Sequence, residues 1–143
     1  MNPVRRHLLL TILLGVLLPA CGPGEGAVSA LQVGQCLHQP EASTAIEEVE
    51  LVPCDDPHDF EVFALVELPD GPYPGDSALP EMAQPACRGR FAAYVGVEPS
   101  DSVLATGLLV PSEDGWDGGD REVVCLLYEP DERLQGSMRA TGR

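Results

Sequence analysis

The side chains best suited to bind a ligand or take part in a reaction lie in one short stretch around His58. They are His58 and its neighbouring carboxylates Asp55, Asp56, Asp59 and Glu61. One imidazole with several carboxylates is a ligand set that could hold a divalent cation. The same carboxylates favour the protonated imidazole, which opposes metal binding near neutral pH. We therefore expect no resident metal. A structural turn is the favoured interpretation, and contact with a ligand or partner is the alternative.

A second acidic stretch, residues 112–121, holds the only tryptophan, Trp116. Its aspartates fall three apart, which is not the alternation of an EF-hand calcium loop. We expect Trp116 to cover the core rather than to form a recognition surface. Arg121 is expected to neutralise part of this loop or to pair with the acids near His58. Trp116 and Arg121 complete the set of candidate binding residues.

The common catalytic motifs are missing from the sequence. It contains no G-x-S-x-G, no H-E-x-x-H and no phosphate-cradling glycine loop. A pair of carboxylates could serve a hydrolase, but nothing in this acidic chain selects one pair. We therefore expect neither catalysis nor a cofactor.

Of the five cysteines, Cys21 belongs to a predicted lipid anchor, which is described below. The other four are Cys36, Cys54, Cys87 and Cys125. They predict two disulfides, because an even number in an oxidising compartment favours pairing. Zinc is the competing use, but structural zinc sites bring ligands in close C-x₂₋₄-C pairs, and no such pair occurs. Three pairings are possible. We favour Cys36–Cys54 and Cys87–Cys125, since each closes a compact loop.

Four segments have the composition of strands: residues 46–52, 60–68, 103–110 and 122–128. The second alternates, with Phe60 and Val62 on an apolar face and Glu61 on the opposite, wet face. The fourth is apolar on both faces, which is typical of a central strand.

Between the second and third strands the period becomes helical. Its apolar positions are Leu79, Ala83, Cys87, Phe91 and Tyr94. This spacing places them on one helix face, although Pro85 should kink the helix or delay its regular part. We predict an α+β domain, with one main helix on a small antiparallel sheet of about four strands and with Cys87 of the helix joined to Cys125 of the central strand.

The first residues have the three zones of a secretory signal peptide. Arg5 and Arg6 precede an apolar run, residues 8–18, that is too short to span a bilayer comfortably. The sequence Leu-Pro-Ala-Cys, ending at Cys21, resembles the lipobox of bacterial lipoproteins. The resemblance implies cleavage before Cys21 and attachment of its thiol to diacylglycerol, with further acyl chains such as palmitate stabilising the anchor.

These features divide the chain into four regions. We expect a signal peptide over 1–20, a flexible tether over 21–30, the disulfide-stabilised domain over 31–129 and a fraying polar tail over 130–143. The formal net charge of −15 at pH 7 argues against nucleic acid as a partner, because phosphates are bound through Lys and Arg.

The order of these motifs resembles the bacterial septum-formation domain family. The matching pieces are Val33-Gly34-Gln35-Cys36, residues 52–62 with their Pro-Cys-x-x-Pro-His core, Tyr73-Pro74-Gly75, Cys87, Phe91, Tyr94-Val95-Gly96, Pro111, Trp116, Gly119-Asp120-Arg121 and Cys125. The resemblance covers about residues 31–128, and Gln35 departs from the usual acidic residue. It implies a role in the cell envelope near the division site, but no reaction and no ligand.

We therefore expect an extracytoplasmic lipoprotein, held on the cell membrane by its lipid and without catalytic activity, that binds an envelope protein or a cell-wall component. Two alternatives stay open. One is a divalent-cation-binding domain using the His58 cluster, and the other is a structural or sensory lipoprotein without a small ligand.

Overall fold

The computed structural model describes residues 24–40 and 46–143. Cys21 and the predicted signal peptide lie outside the described residues. The elements in chain order are β1 (Gly24–Ala27), a 3₁₀ turn (Val28–Ala30), β2 (Cys36–Leu37), β3 (Glu48–Val52), β4 (Phe60–Glu67), α1 (Ala78–Val95), a second 3₁₀ turn (Pro99–Asp101), β5 (Ala105–Leu109), α2 (Glu113–Asp117) and β6 (Glu122–Tyr128).

These strands form one antiparallel sheet in the order β1-β3-β2-β4-β6-β5. The expected α+β architecture with one main helix is confirmed, but the sheet has six strands instead of about four. The two additional strands, β1 and β2, are short. Neither has the alternation by which a strand is recognised in a sequence, because β1 is half glycine and β2 has two residues.

Strand β1 corrects the prediction of a flexible tether for residues 24–30, and residues 21–23 lie outside the described residues. Its four residues pair with β3, and Val28 continues the contact by donating its N–H to the carbonyl of Glu47. A Cβ atom at Gly26 would lie 2.7 Å from Cδ1 of Leu51. Gly26 therefore lies in a paired strand, where a larger side chain would require the Leu51 side chain to move.

Alternate residues of β6 supply two hydrophobic clusters on the two faces of the sheet. Val123 and Cys125 belong to the helix-side core, which also contains the buried residues of α1. Val124 and Leu126 belong to a second core on the opposite face. Because β6 is buried on both faces and pairs with both β4 and β5, its interpretation as a central strand is confirmed.

Strand β4 contains a β-bulge that changes which residues face the helix. The register against β6 shifts between Val62 and Ala64. Phe60 and Val62 pack in the second core, whereas Phe63 and Ala64 both belong to the helix-side core. The extra residue breaks the alternation. The prediction of a single apolar face is therefore wrong, and Glu61 is fully buried instead of facing water.

Helix α1 runs from Ala78 to Val95 without starting late at Pro85. It ends at Gly96, whose φ of 99° is the left-handed conformation that glycine adopts most easily. The expected apolar face is buried, with Leu79, Ala83 and Phe91 each 0% exposed.

Both predicted disulfides are present. Cys36–Cys54 joins β2 to the turn before β4, with Cα atoms 5.2 Å apart, and Cys87–Cys125 joins α1 to β6, with Cα atoms 5.6 Å apart. In the chain-entropy account, each loop contributes about 3–4 kcal/mol by restricting the unfolded chain.

The C-terminal segment, residues 130–143, is packed on the domain and does not fray as expected. Leu134 is 0% exposed and Met138 is 2% exposed. Ala140 donates its N–H to the carbonyl of Tyr94 near the end of α1. The apolar side chains gain enough burial to fix a segment of polar composition, so the folded domain extends through it.

Candidate functional site

The stretch around His58 begins as a turn and ends as a bridge to the C-terminal segment. The carbonyl of Pro53 accepts a hydrogen bond from the N–H of Asp56 at 3.0 Å, and the Cys54 disulfide anchors this turn to β2. His58 and Leu134 then exchange two backbone hydrogen bonds, of 3.0 and 2.8 Å. The C-terminal segment is therefore part of the site.

His58 is fully buried, and its two ring nitrogens differ in their surroundings. Nδ1 lies 2.8 Å from the carbonyl oxygen of Asp56. Because a carbonyl only accepts, Nδ1 carries the hydrogen, and the lone pair of the neutral ring is on Nε2. Nε2 is buried and has no hydrogen-bond partner among residues 24–40 and 46–143. The ring is thus oriented by the main chain, with a basic nitrogen left free inside the protein.

Glu61 is also fully buried, and its carboxylate is held by three donors. The Tyr94 hydroxyl donates to Oε1 at 2.5 Å and the Ser137 hydroxyl to the same oxygen at 2.7 Å. The N–H of Met138 donates to Oε2 at 2.7 Å. Hydrogen bonds to a charged group are stronger than those between neutral groups, which compensates part of the cost of burying this carboxylate. Glu61 therefore joins the sheet, the helix and the C-terminal segment.

The phenol of Tyr94 responds to this environment. Burial, together with the hydrogen bond to the Glu61 carboxylate, raises the pKa of Tyr94 to about 12. The guanidinium of Arg139 lies 4.4 Å from the centre of its ring. Tyr94 therefore remains a hydrogen-bond donor over the physiological pH range.

Asp59 forms an ion pair with Arg133. Arg133 donates from Nε and Nη2 to its two oxygens, at 2.9 and 3.1 Å. The N–H of Gln39 adds a third hydrogen bond, at 2.8 Å. These guanidinium hydrogen bonds hold the pKa of Asp59 below its ordinary value. Asp59 is thus a second attachment of the C-terminal segment.

Of the four carboxylates expected to surround His58, Glu61 lies beside it and the three aspartates are placed differently. Asp55 and Asp56 are exposed, and Asp59 binds Arg133. In the part of the chain that the structure describes, the metal-compatible group is Cys36, His58 and Glu61, with one potential ligand atom of each within 4.8 Å of the others. Cys36 is in a disulfide and offers no thiolate, so the structure gives the cation alternative no support.

Sequence reasoning missed the partners of Glu61 in the C-terminal segment, Ser137 and Met138, and the pairing of Leu134 with His58. A weak signal was present, because Leu134 and Met138 are apolar residues four apart in a polar stretch.

The second candidate pair, Trp116 and Arg121, forms a separate structural unit. Trp116 on α2 is 3% exposed and donates from Nε1 to the carbonyl of Gly71 at 2.9 Å. The guanidinium of Arg121 stacks on its ring at 3.9 Å. Arg121 pairs with Asp70 rather than with the acids near His58, with Nε and Oδ1 3.3 Å apart. Trp116 covers the core, as expected.

A pocket of about 220 Å³ lies elsewhere, lined by Val28, Ser29, Asp120, Glu122 and Val124. It contains none of the residues around His58. Partial burial and the nearby charges of Asp120 and Glu67 raise the pKa of Glu122 above its ordinary value.

Comparison with known proteins identifies the family but no individual relative. The family described as septum formation matches residues 30–143. No curated protein and no solved structure matches the chain. None of the helices over residues 24–40 and 46–143 has both the length and the apolar character needed to cross a membrane. The family match reaches beyond Tyr128 through the C-terminal segment, in agreement with the contacts that this segment makes. The chain therefore belongs to the septum formation family.

Proposed function

We propose that this protein is a membrane-anchored, extracytoplasmic lipoprotein whose domain is a non-catalytic binding module of the cell envelope, acting in septum formation. The observation that carries the proposal is the family match, which spans residues 30–143 and therefore all of the packed domain after β1 and the first 3₁₀ turn. The proposed partner is an envelope protein or a cell-wall component.

Location outside the cytoplasm is supported by the two disulfides and by the leader. Disulfides persist in oxidising compartments and are rare in the cytosol. Both pairs here are formed, and they include every cysteine after Cys21. The lipobox-like sequence before Cys21 adds the means of attachment, because dual acylation gives stable membrane binding where a single chain does not.

The role of a binding module, rather than an enzyme, is supported by how the candidate residues are used. Glu61 and Asp59 hold the C-terminal segment, and Trp116 is part of the core. These side chains are engaged in packing the domain. A macromolecular partner would therefore meet the outer surface, where Val33, Met82 and Val103 are exposed large apolar residues.

The anchor is tested in the full chain by metabolic labelling with a fatty acid in the producing bacterium. Wild type should incorporate label and fractionate with membranes, and Cys21→Ala should incorporate none. Ser29→Ala, a change in the same N-terminal region, is the matched control and should label like wild type. Labelling of Cys21→Ala equal to wild type would refute the anchor.

The septal role is tested by imaging and by crosslinking in dividing cells. The full chain should concentrate at the division site relative to an unrelated domain carrying the same leader. A photo-crosslinker placed singly at Val33, Met82 or Val103 should capture a defined envelope partner from at least one position. Uniform distribution with no defined product from any position would favour the structural or sensory alternative.

A further inference from the structure

The two disulfides differ in accessibility. Cys87 and Cys125 are 1% and 0% exposed, and both lie in the helix-side core. Cys36 is 1% exposed, but its partner Cys54 is only half-buried in the turn before β4. The half-buried residue of this pair, Cys54, is therefore where an external thiolate would meet the disulfide while the domain remains folded.

The less accessible sulfur of that disulfide has a basic neighbour. A ring nitrogen of His58, Sγ of Cys36 and a carboxylate oxygen of Glu61 lie within 4.8 Å of one another. Nδ1 of His58 is occupied by the Asp56 carbonyl, and Nε2 is buried without a partner in the part of the chain that the structure describes. A thiol beside such a nitrogen would supply the missing hydrogen bond, and that thiol exists only after the disulfide opens.

We propose that Cys36–Cys54 is an exchangeable disulfide, that external thiolates attack it at Cys54, and that His58 is the base for the buried Cys36 thiol. Cys87–Cys125 is then the inert, structural disulfide. This activity is separate from the proposed binding function.

The exchange balances without any further reagent. The thiolate R–S⁻ attacks Sγ of Cys54 and forms R–S–S–Cys54, while the Cys36–Cys54 bond breaks and its electron pair stays on Cys36 as a thiolate. That thiolate takes a proton from Nε2 of His58, which has first taken it from solvent. In the reverse direction, the Cys36 thiol gives its proton to Nε2 of His58, the resulting thiolate attacks Cys54, and R–S⁻ leaves.

The groups around His58 and Cys36 explain how Cys36, once reduced, can exist both as a neutral thiol and as a thiolate. The Glu61 carboxylate opposes a second negative charge, but three donors already compensate it: the Tyr94 hydroxyl from α1, and the Ser137 hydroxyl and the Met138 N–H from the C-terminal segment. The Arg139 guanidinium lies against Tyr94. A proton taken up by His58 would place a positive charge beside the thiolate, since a ring nitrogen of His58 lies within 4.8 Å of Sγ of Cys36.

The first test compares the two disulfides of the wild-type domain in the folded state. The protein is incubated separately with glutathione and with dithiothreitol, quenched with an alkylating reagent and mapped by mass spectrometry. Cys36–Cys54 should open about tenfold faster than Cys87–Cys125 or more, because Cys54 is half-buried whereas both cysteines of the other pair are buried. Equal rates for the two bonds would overturn the proposal.

The second test locates the point of attack with matched single variants. Cys36→Ser should accumulate a stable glutathione adduct on Cys54 when treated with oxidised glutathione, since no resolving thiol remains. Cys54→Ser leaves the buried Cys36 thiol and should form the adduct more slowly. Faster modification of Cys36 would contradict the proposed direction.

The third test addresses His58. In the Cys54→Ser background, the ultraviolet absorbance of the Cys36 thiolate should appear at lower pH with His58 than in the Cys54→Ser, His58→Gln double variant. His58→Gln alone should slow reoxidation of the Cys36–Cys54 pair, with Cys87–Cys125 remaining protected as the fold control. An unchanged thiolate titration would remove His58 from the mechanism. If His58→Gln unfolds the protein, the ratio of the two wild-type opening rates and the positions of the glutathione adducts still decide whether Cys36–Cys54 is exchangeable.

Discussion

Met138 donates its backbone N–H to the buried carboxylate of Glu61 over 2.7 Å, although the two residues are 77 positions apart. A main-chain donor cannot be replaced by a side-chain substitution, so the carboxylate is the vulnerable half of this contact. Ser137 and Tyr94 reach the same carboxylate from the C-terminal segment and from α1. Glu61 of β4 thus holds the segment at two of its residues, Ser137 and Met138.

We expect Glu61→Gln to destabilise the domain by about 3 kcal/mol, because it replaces one acceptor oxygen by a donor and leaves a buried donor unpaired. The free energy of unfolding in urea, with both disulfides intact, measures the loss. Glu48→Gln on β3 is the control, since Glu48 is exposed and its replacement should change stability by less than about 0.5 kcal/mol. Equal losses for the two variants would contradict the role of Glu61.

We expect Leu134→Ala to cost about 2–5 kcal/mol, because it leaves a cavity where the side chain is 0% exposed. Hydrogen exchange of the C-terminal segment should accelerate in the same variant. Val103→Ala, at a position 58% exposed, supplies the comparison and should leave both measurements near wild type. If Leu134→Ala changed neither the free energy of unfolding nor the hydrogen exchange, the C-terminal segment would not be needed for the stability of the domain.

Deprotonation of Tyr94 should contribute to the loss of stability at alkaline pH. Its pKa is about 12 in the folded protein and 10.0 in the unfolded chain. The unfolded state loses the phenolic proton first. The contribution of Tyr94 to the free energy of unfolding is therefore complete below pH 10 and is lost as the pH rises toward 12. The ultraviolet titration should show tyrosine absorbance changing near pH 12, and part of this change should disappear in Tyr94→Phe. Tyr73, whose hydrogen bond to Asp76 also raises its pKa to about 12, requires Tyr73→Phe as the control.

Glu122→Gln should stabilise the domain at neutral pH by about 0.5 kcal/mol. Glu122 lies directly opposite Glu67 on β4, and like charges in such a pair repel. Because the folded state raises the pKa of Glu122, its ionisation opposes folding as the pH rises through the ordinary value of 4.5. The gain in urea midpoint should therefore be present at pH 7 and vanish in acid. A gain of equal size at both pH values would point to a cause other than charge.

The parts of the fold that follow a regular period could be predicted from the sequence. The 3.6-residue spacing of Leu79, Ala83 and Cys87 indicated α1, and the apolar run of β6 indicated a strand buried on both faces. The disulfide pairing followed from placing Cys87 and Cys125 on those two elements. In each case one local pattern determined one contact.

The candidate site could be predicted only in part, because its contacts depend on features without a local pattern. Glu61 is buried because Ser137 and Met138 of the C-terminal segment bind it, and these two donors are more than 70 residues away in the sequence. The bulge in β4 falls within an apolar run, where an extra residue is not recognised from the sequence. The tether residue Gly26 lies in β1, beside the side chain of Leu51.

The place where the sheet begins has a consequence for how far the domain extends from a lipid. Strand β1 starts at Gly24, and three extended residues reach at most about 11 Å. A lipid on Cys21, as proposed, would therefore hold the sheet edge nearly flush with the headgroups. The exposed Glu25 and Glu50, directly opposite each other on β1 and β3, would then sit where anionic headgroups repel them. The link would thus hold two like charges close to the lipid surface, so the orientation of the domain on the membrane would depend on the charge of the headgroups.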